Sequence, residues 1–343
     1  MTSRFNLETD TKPFNTTSIK VHSPKEPTPR SPKKPIVKEV NKTTKDFPSF
    51  IEPQNFNLGV FEYERNGSNP GKVIIFNHEF YDDHNIKVRR GSRRDVNEIL
   101  TCFQRLGFNI HEGDLLLDST VAEIQQKIKN VLEDKASLRE ANCLIIIFLT
   151  HGHNNDELHA RDGTFKCSEV WTKFNKCAEL KHKPKMFIFQ ACKGDYYTTV
   201  DGADSFVFKE DSAKLVNIES FIVNELDADM LLLYSTIEGN VSFRHPSAGT
   251  WFIQELCKNF SAYGRRDDVI SLVTRTIKCV SGYYNFDEDV SEDLQKQMPI
   301  FVSTLSRKFY LNRNKDRHLL LEIMRKQEEI YNMVKDINRK IKN

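Results

Sequence analysis

Two continuous apolar runs constrain the fold of this chain more than any other feature. Residues 143–149 read CLIIIFL, and residues 186–189 read MFIF within the longer segment KMFIFQACKGD. Such runs lack polar alternation, which is typical of strands that are buried on both faces of a sheet. Both runs stop at small and polar residues, the first shortly before His151 and the second shortly before Cys192.

A histidine and a cysteine therefore occupy equivalent positions after two predicted strands. In open α/β sheets, ligands and reacting groups bind at the carboxyl ends of the strands. A thiol near its free pKa of about 8.5 is mostly protonated at neutral pH, and an adjacent imidazole removes that proton or stabilises the thiolate. A lone buried cysteine or histidine is usually structural, but the two together predict Cys192 as a nucleophile and His151 as its base.

The remaining apolar patterns predict alternating strands and helices. Before Cys192 they predict a strand at 72–76, a helix at 95–106 that Gly107 ends, a strand near 108–110, a helix that Thr120 and Glu123 begin as a capping box, and a short helix around 168–177. After Cys192 they predict a strand at 230–234, helices at 250–262 and 267–279, and a last strand at 300–305. This alternation predicts an α/β fold with a mainly parallel sheet and helices on both faces.

Composition narrows the classes of function. The 343 residues carry a net charge of +2, which points to no nucleic-acid partner, and no apolar run approaches the roughly 18 residues of a membrane span. Seven widely spaced cysteines predict free thiols in a reducing compartment, so we expect a soluble, cytoplasmic protein. The histidines and cysteines lack the paired spacing of a zinc site, and no glycine-rich phosphate loop is present, so we expect no cofactor.

The first 46 residues differ in composition from the rest of the chain. They are rich in Pro, Ser, Thr and Lys and poor in clustered apolar residues. A segment of this kind cannot offset its ordering entropy by burial, so residues 1–46 are predicted to be a disordered basic arm. Its Ser-Pro and Thr-Pro pairs are candidate phosphorylation sites, and an unmodified linker is an equally good interpretation.

The segment from Gln190 to Gly194, QACKG, together with His151-Gly152 upstream, resembles the signature of the caspase family of cysteine peptidases. The resemblance covers about residues 55–312 and implies a caspase-like three-layer sandwich with a six-stranded, mainly parallel sheet. It also implies a large subunit at 47–204 and a small subunit at 205–312, separated by a loop where the chain is cut. Within the family, the chain resembles insect or other invertebrate caspases without a death-fold domain.

The resemblance also implies roles for the residues at the strand ends. Cys192 would attack a peptide carbonyl, and His151 would manage the proton of the leaving group. The backbone N–H groups of Gly152 and Cys192 would bind the oxyanion. Glycine at position 152 also has a physical reason, because a side chain beside His151 would crowd the approaching carbonyl.

Caspases bind an aspartate before the scissile bond, and a buried carboxylate needs cations with fork geometry. The resemblance assigns this pocket to Arg89, Gln190 and Arg244, with Arg90 as the alternative if the register slips by one residue. Neighbouring subsites would have Val241, Phe243 and Trp251 as walls. Effector caspases usually carry Tyr at the position of Val241, so the groove is similar to that of initiator members, and the class within the family stays open.

Two aspartates are candidate cleavage sites. Asp204 ends the segment DGAD in the polar loop after Cys192, and Ser205 follows it. Asp10 ends LETD in the N-terminal arm, where a cut would trim the arm. Exposed loops favour proteolysis, although Asp-rich loops also contain such spacings by chance.

Residues 313–343 form a segment beyond the usual end of caspase chains. Apolar residues recur there at heptad spacing, broken only at Gln327, at Leu320, Ile323, Ile330, Val334, Ile337 and Ile341. The pattern predicts an amphipathic helix that either docks on the catalytic domain or pairs with a partner helix. A solvated helix without a role is the third interpretation.

The sequence as a whole predicts an aspartate-specific cysteine endopeptidase that is made as a zymogen and acts in apoptosis or a related response. Its expected partners are protein substrates with Asp before the cut and a second copy of the chain in a homodimer. Inhibitor-of-apoptosis proteins and upstream caspases are further candidate partners. The alternative is a non-catalytic caspase-like regulator that pairs with an active relative, although such a protein would not need all of the site residues.

Overall fold

A computed structural model describes residues 8–9, 62–65, 69–195, 198–201, 205–207, 226–287, 291–312, 323, 325–335 and 337. Its strands are β1 (Glu8–Thr9), β2 (Lys72–Asn77), β3 (Leu115–Leu117), β4 (Leu144–Leu149), β5 (Gly152–His153), β6 (Glu157–His159), β7 (Thr164–Lys166), β8 (Lys185–Gln190), β9 (Thr198–Asp201), β10 (Ser205–Val207), β11 (Met230–Tyr234), β12 (Phe243–His245), β13 (Gly249–Thr250), β14 (Tyr284–Asp287), β15 (Ser291–Lys296) and β16 (Ile300–Ser303). Its helices are α1 (Ser92–Arg105), α2 (Val121–Glu133), α3 (Lys135–Glu140), α4 (Cys167–Trp171), α5 (Trp251–Tyr263) and α6 (Val269–Ser281).

The central sheet confirms the predicted α/β fold. Within the described residues it has six strands in the order β16-β11-β8-β4-β2-β3. All neighbouring pairs are parallel except β11 and β16, which run antiparallel. The two apolar runs of the sequence form β4 and β8, which lie side by side at the centre of the sheet.

Alternate residues of the central strands face two separate hydrophobic cores, so the protein has three layers. Ile145 and Ile147 of β4 pack into the core that also contains α1, α5 and α6. Ile146 and Phe148 pack into the opposite core, with α2, α3 and α4. Because β4 is buried on both faces, a polar substitution in its middle would face apolar side chains whichever way it pointed.

Side-chain caps explain where several helices begin. Thr120 and Glu123 form the predicted capping box at the start of α2, with the Thr120 hydroxyl accepting from the Glu123 N–H. Thr250 and Asp268 cap α5 and α6 in the same way. Helix α1 starts three residues earlier than the expected Asp95, because Gly91 turns the chain with a positive φ of 90°.

The strand expected near residues 108–110 is wrong. Phe108 is buried, but it enters the core from a loop and contacts the Phe103 ring edge-on, with 5.3 Å between the centroids. The edge strand is instead Leu115–Leu117, which pairs with β2 and with no other strand of the described residues. A short apolar stretch that fills a core from a loop has the same local pattern as a strand, so periodicity could not separate the two.

The expected helix at 168–177 is shorter in the structure. Helix α4 ends at Trp171 and continues as one 3-10 turn from Thr172 to Phe174. Lys176 then adopts a positive φ of 63°, which a helix cannot contain. The small sheet of β5, β6 and β7 and the pair of β12 with β13 were not predicted, because strands of two or three residues are too short to show a period.

The C-terminal segment is described in part. Residues 325–335 are helical, and Ile330 and Val334 on this helix are exposed. The amphipathic helix over 313–343 and the subunit boundaries at 46, 204 and 312 remain predictions. No helix among the described residues is long and apolar enough to cross a membrane.

Candidate active site

The parallel pairing of β4 and β8 brings His151 and Cys192 to the same edge of the sheet. Leu149 lies opposite Gln190 in the register, and the Thr150 N–H donates to the Gln190 carbonyl at 3.0 Å. His151 and Cys192 each lie two residues beyond a member of that pair. The arrangement follows from two buried strands of equal register that end together.

Gly152 holds the histidine loop against the nucleophile strand. A Cβ at this position would overlap the carbonyl oxygen of Cys192 and would lie 3.0 Å from the Ala191 side chain. Any other residue would therefore push the two loops apart. The close approach adds a second reason for glycine beside the one expected from the sequence.

A backbone carbonyl orients the His151 ring. The Nε2 atom lies 2.7 Å from the Lys87 carbonyl oxygen, which can only accept a hydrogen bond. Nε2 of the neutral ring therefore carries the proton, and the lone pair is on Nδ1. The Tyr81 ring lies 5.2 Å from the imidazole, and its hydroxyl accepts from the His151 N–H at 3.2 Å.

The Cys192 thiol is buried and receives a hydrogen bond from the segment before β12. The Ser242 N–H donates to Sγ at 3.1 Å, and the Ser242 carbonyl lies 3.8 Å from the same sulfur. The Ser242 backbone thus contacts the sulfur through both its N–H and its carbonyl. Ser242 therefore links Cys192 to β12, which begins at the next residue.

Arg89, Gln190 and Arg244 are all fully buried beside this edge. Arg89 Nη1 donates to the His78 carbonyl at 3.0 Å, and Arg244 donates to the carbonyl of Arg90, next to Arg89 in the chain. Arg90 is exposed, so Arg89 is the buried member of this pair of neighbouring arginines. Gln190 Nε2 donates to Ser242 Oγ at 2.7 Å, and the amide has a second N–H donor.

The expected subsite walls pack against the nucleophile. Val241, Phe243 and Trp251 form one apolar cluster with Cys192. The Phe243 and Trp251 rings are 4.9 Å apart. A peptide lying along β12 would meet this aromatic pair on its way to the thiol.

Known proteins are similar to this chain over most of its length. A family model described as Caspase domain matches residues 70–310. The chain belongs to the caspase family. It is 29% identical to caspase-6 of Gallus gallus over 79% of this chain and 90% of that protein, and 32% identical to caspase-1 of Spodoptera frugiperda over 71% and 79%. The crystal structure of that insect caspase-1 covers 75% of this chain and 95% of its own, with a TM-score of 0.63 and 28% identity.

The structure of this caspase brings together nearly all of the residues that the sequence singled out. His151, Gly152, Cys192 and the pocket and wall residues lie at one edge of the sheet, and their roles in catalysis and binding stay predictions. Asp204 and Asp10, the expected cleavage sites, lie outside the described residues. Asp204 falls in the connection between β9 and β10, whose register places Ser205 opposite Asp201.

Two buried titratable residues, His78 and Asp95, interact with Arg89. Burial lowers the pKa of His78 from 6.5 to about 4, although the Ser119 carbonyl 3.0 Å from Nε2 acts in the opposite direction. Burial raises the pKa of Asp95 from 3.8 to about 6, against hydrogen bonds from Gln254 and the Thr250 N–H. Asp95 thereby joins α1 to the start of α5.

These two groups change stability with pH in opposite directions. The depressed pKa of His78 contributes stability that is fully present above pH 6.5 and is lost as the pH falls toward 4. The raised pKa of Asp95 contributes stability that is fully present below pH 3.8 and is lost as the pH rises toward 6. Each contribution is on the order of 3 kcal/mol. We expect His78→Gln to reduce the gain in unfolding free energy between about pH 4.5 and pH 7, and Asp95→Asn to increase it, in urea titrations.

The comparison with wild type cancels the other titrating groups, because they are common to all three proteins. Shifts of the same sign in the two variants would contradict the opposed pKa changes. A double variant should have nearly the wild-type difference between the two pH values, since the two effects offset each other.

A buried ion cluster beside the nucleophile was not expected from the sequence. Lys193 Nζ lies 2.7 Å from Asp156 Oδ1 and 3.1 Å from Glu238 Oε2, and it stands 3.9 Å above the centre of the Tyr234 ring. Burial acts to lower the pKa of Lys193, but the two carboxylates outweigh it and raise the pKa above its ordinary value. Lys193 therefore joins the loop after Cys192 to residue 238, shortly before β12.

Other functional groups that the sequence did not reveal are backbone atoms. The Lys87 carbonyl and the Ser242 N–H contact the two reactive side chains, and any residue type could supply them. Tyr81 lies between the predicted strand at 72–76 and the predicted helix at 95–106, where the sequence analysis assigned no element. No local pattern could have identified these groups, because their positions depend on tertiary packing.

Proposed function

We propose that this protein is an aspartate-specific cysteine endopeptidase. The observation that carries the proposal is the meeting of His151 and Cys192 at one sheet edge, beside two fully buried arginines. A nucleophile with an oriented base supplies peptide-bond chemistry, and buried guanidinium groups supply selection for a carboxylate. Membership of the caspase family supports the same reaction class.

The chemistry follows from the orientation of the two side chains. The thiolate of Cys192 attacks the carbonyl carbon of the residue before the cut, and the oxyanion is bound by the N–H groups of Gly152 and Cys192. His151 gives a proton to the leaving amine as the C–N bond breaks. Water then hydrolyses the thioester: His151 accepts a proton of the water, the C–S bond breaks, and Cys192 leaves as the thiolate with which the cycle began.

Selection of aspartate follows from the charge in the pocket. Arg89 and Arg244 place two guanidinium groups where water is excluded, and their charge-assisted hydrogen bonds favour a carboxylate over an uncharged side chain. Gln190 offers an additional amide donor. A glutamate carries the same charge but is one methylene longer, so we expect it to be a poorer substrate.

A non-catalytic regulator of a related caspase is the alternative. Such a protein needs no nucleophile, no oriented histidine and no carboxylate pocket, yet the chain keeps Cys192, His151, Arg89, Gln190 and Arg244. The presence of all five favours an enzyme.

We further propose a zymogen that is cut after Asp204 into a large subunit, 47–204, and a small subunit, 205–312. The measurement is N-terminal sequencing of the small fragment, which should begin at Ser205. A different first residue would reject this site.

The working form is proposed to be a homodimer in the cytoplasm, acting in apoptosis or a related proteolytic response. All seven cysteines lie within the described residues as free thiols, which supports a reducing compartment. Light scattering should give twice the mass of one processed chain. An active enzyme with the mass of a monomer would reject the proposed dimer.

A fluorogenic tetrapeptide library with Asp, Glu, Asn or Ala at the last position tests the function. We expect turnover after Asp, and Arg244→Ala should lower kcat/KM by about two orders of magnitude or more, because one partner of a buried charge pair is lost. The matched control is Arg275→Ala, which removes a half-exposed arginine paired with Asp267. Equal activity of the two variants would show that Arg244 does not bind the substrate.

A further inference from the structure

The N-terminal arm contributes a short strand to the candidate active site. Glu8 and Thr9 form β1, which pairs antiparallel with β12. Strand β12 contains Phe243 and Arg244 and directly follows Ser242, which contacts the nucleophile. Addition of an extended segment to the edge of a short sheet is a common way for proteins to bind peptides.

The register of β1 leads the arm toward the nucleophile. Glu8 lies opposite Arg244, and Thr9 lies opposite Phe243. An antiparallel register that continues by one residue would put position 10 opposite Ser242, whose N–H lies 3.1 Å from Cys192 Sγ. Residue 10 lies outside the described residues, and in the sequence it is an aspartate.

The charge of the site matches this residue. Arg89 and Arg244 are both 0% exposed, and the backbone of Glu8 pairs with that of Arg244. Buried guanidinium groups favour a carboxylate in a segment that lies beside them. Leu7-Glu8-Thr9-Asp10 supplies that carboxylate at the position to which the register points.

The other candidate cleavage segment is paired elsewhere. Asp201, which begins DGAD, lies opposite Ser205 in the β9–β10 pair, and β9 also pairs with β15. Strand β1 belongs to the same compact unit as the central sheet. Among the described residues, β12 therefore pairs with the arm and with β13, whereas β9 and β10 pair with each other and with β15.

We propose that residues 7–10 are a tethered substrate that occupies the cleft of its own chain until the bond between Asp10 and Thr11 is cut. The proposal rests on the endopeptidase activity proposed above. Cys192 Sγ bonds to the carbonyl carbon of Asp10, the C–N bond to Thr11 breaks, and the Thr11 nitrogen takes a proton from His151. Water then releases the segment from Met1 to Asp10 with a new carboxylate.

The tether makes the arm a strong competitor before the cut and a weak one after it. A segment joined to its binding site by a flexible chain has an effective concentration of about millimolar. The free ten-residue product is present only at the concentration of the enzyme, so it leaves the cleft. Cutting after Asp10 therefore opens the site to other proteins.

A matched pair of arm variants in the full chain tests the proposal. Asp10→Ala removes the carboxylate, whereas Thr11→Pro keeps LETD and replaces the bond to be cut with a proline amide that hinders cleavage. We expect the wild type to acquire an N-terminus at Thr11. The apparent KM for an Asp-ending tetrapeptide should be about tenfold or more higher for Thr11→Pro than for Asp10→Ala, with equal kcat.

Hydrogen exchange supplies a second measurement that does not need activity. In the Cys192→Ala background, backbone amides of residues 242–244 should exchange more slowly with the native arm than with Asp10→Ala. Equal exchange, or equal KM in the active pair, would overturn the proposal. If no form of the protein cleaves any peptide, the proposed function and the cutting step fail, while exchange still decides whether the arm docks.

Discussion

Cys192→Ala is expected to lower kcat/KM for Asp-ending peptides by at least about ten-thousandfold, the scale seen when a covalent nucleophile is removed. The thiol is held by the Ser242 N–H at 3.1 Å and lies within a buried cluster with Val241 and Phe243. Alanine fits this space with the loss of one sulfur atom, so the fold should be kept. The loss would therefore report on chemistry.

His151→Ala should have a similar effect, because the two side chains act as a unit. In that case the double variant would be little worse than either single variant, whereas independent contributions would multiply. The measurement is kcat/KM of all three variants on one tetrapeptide, with thermal unfolding to check the fold. Cys279→Ala, a free and half-buried cysteine outside the site, is the matched control and should keep full activity.

If the losses in kcat/KM of the two single variants multiplied in the double variant, His151 would not act through Cys192. Activity in Cys192→Ala would assign the nucleophile to another residue and would reject the proposed mechanism. These outcomes separate the chemistry from recognition, since Arg244→Ala is expected to affect cleavage after Asp while the thiol stays in place.

The sequence predicted the fold where burial leaves a continuous apolar run or where a helix begins with a capping motif. The runs at 143–149 and 186–189 became the central strands, and the capping box at Thr120 formed as expected. The prediction was wrong at 108–110, where Phe108 fills the core without any strand. Local pattern records which residues are buried, but it does not record which element buries them.

The candidate site was predictable in its side chains and not in its backbone. A family signature marks Cys192 and His151 because chemistry restricts their residue types. The Lys87 carbonyl and the Ser242 N–H are available at any residue, so the sequence contains no trace of them. The pairing of β1 with β12 depends on contacts between residues far apart in the chain, which a single sequence does not reveal.

The Lys193 cluster should contribute more to stability than any ion pair on the surface. Lys193→Met leaves the Asp156 and Glu238 carboxylates buried without their cation, which typically costs about 3–5 kcal/mol. A domain of ordinary stability has only about 5–15 kcal/mol in total, so the variant should unfold at a much lower urea concentration. Lys129→Met is the matched control, because Lys129 forms an exposed pair with Glu133 and should change stability by about 0.5 kcal/mol or less.

A compensated variant separates the charge effect from the loss of packing. With Asp156→Asn and Glu238→Gln added to Lys193→Met, no charge is buried, and most of the lost stability should return. If the triple variant were as unstable as Lys193→Met, packing around the Tyr234 ring, rather than unpaired charge, would explain the loss. If Lys193→Met unfolded like the Lys129→Met control, the cluster would not stabilise the loop after Cys192. Because Lys193 follows the nucleophile directly and its N–H donates to the Asn240 carbonyl at 2.9 Å, a true loss of the cluster should also lower kcat in urea-free buffer.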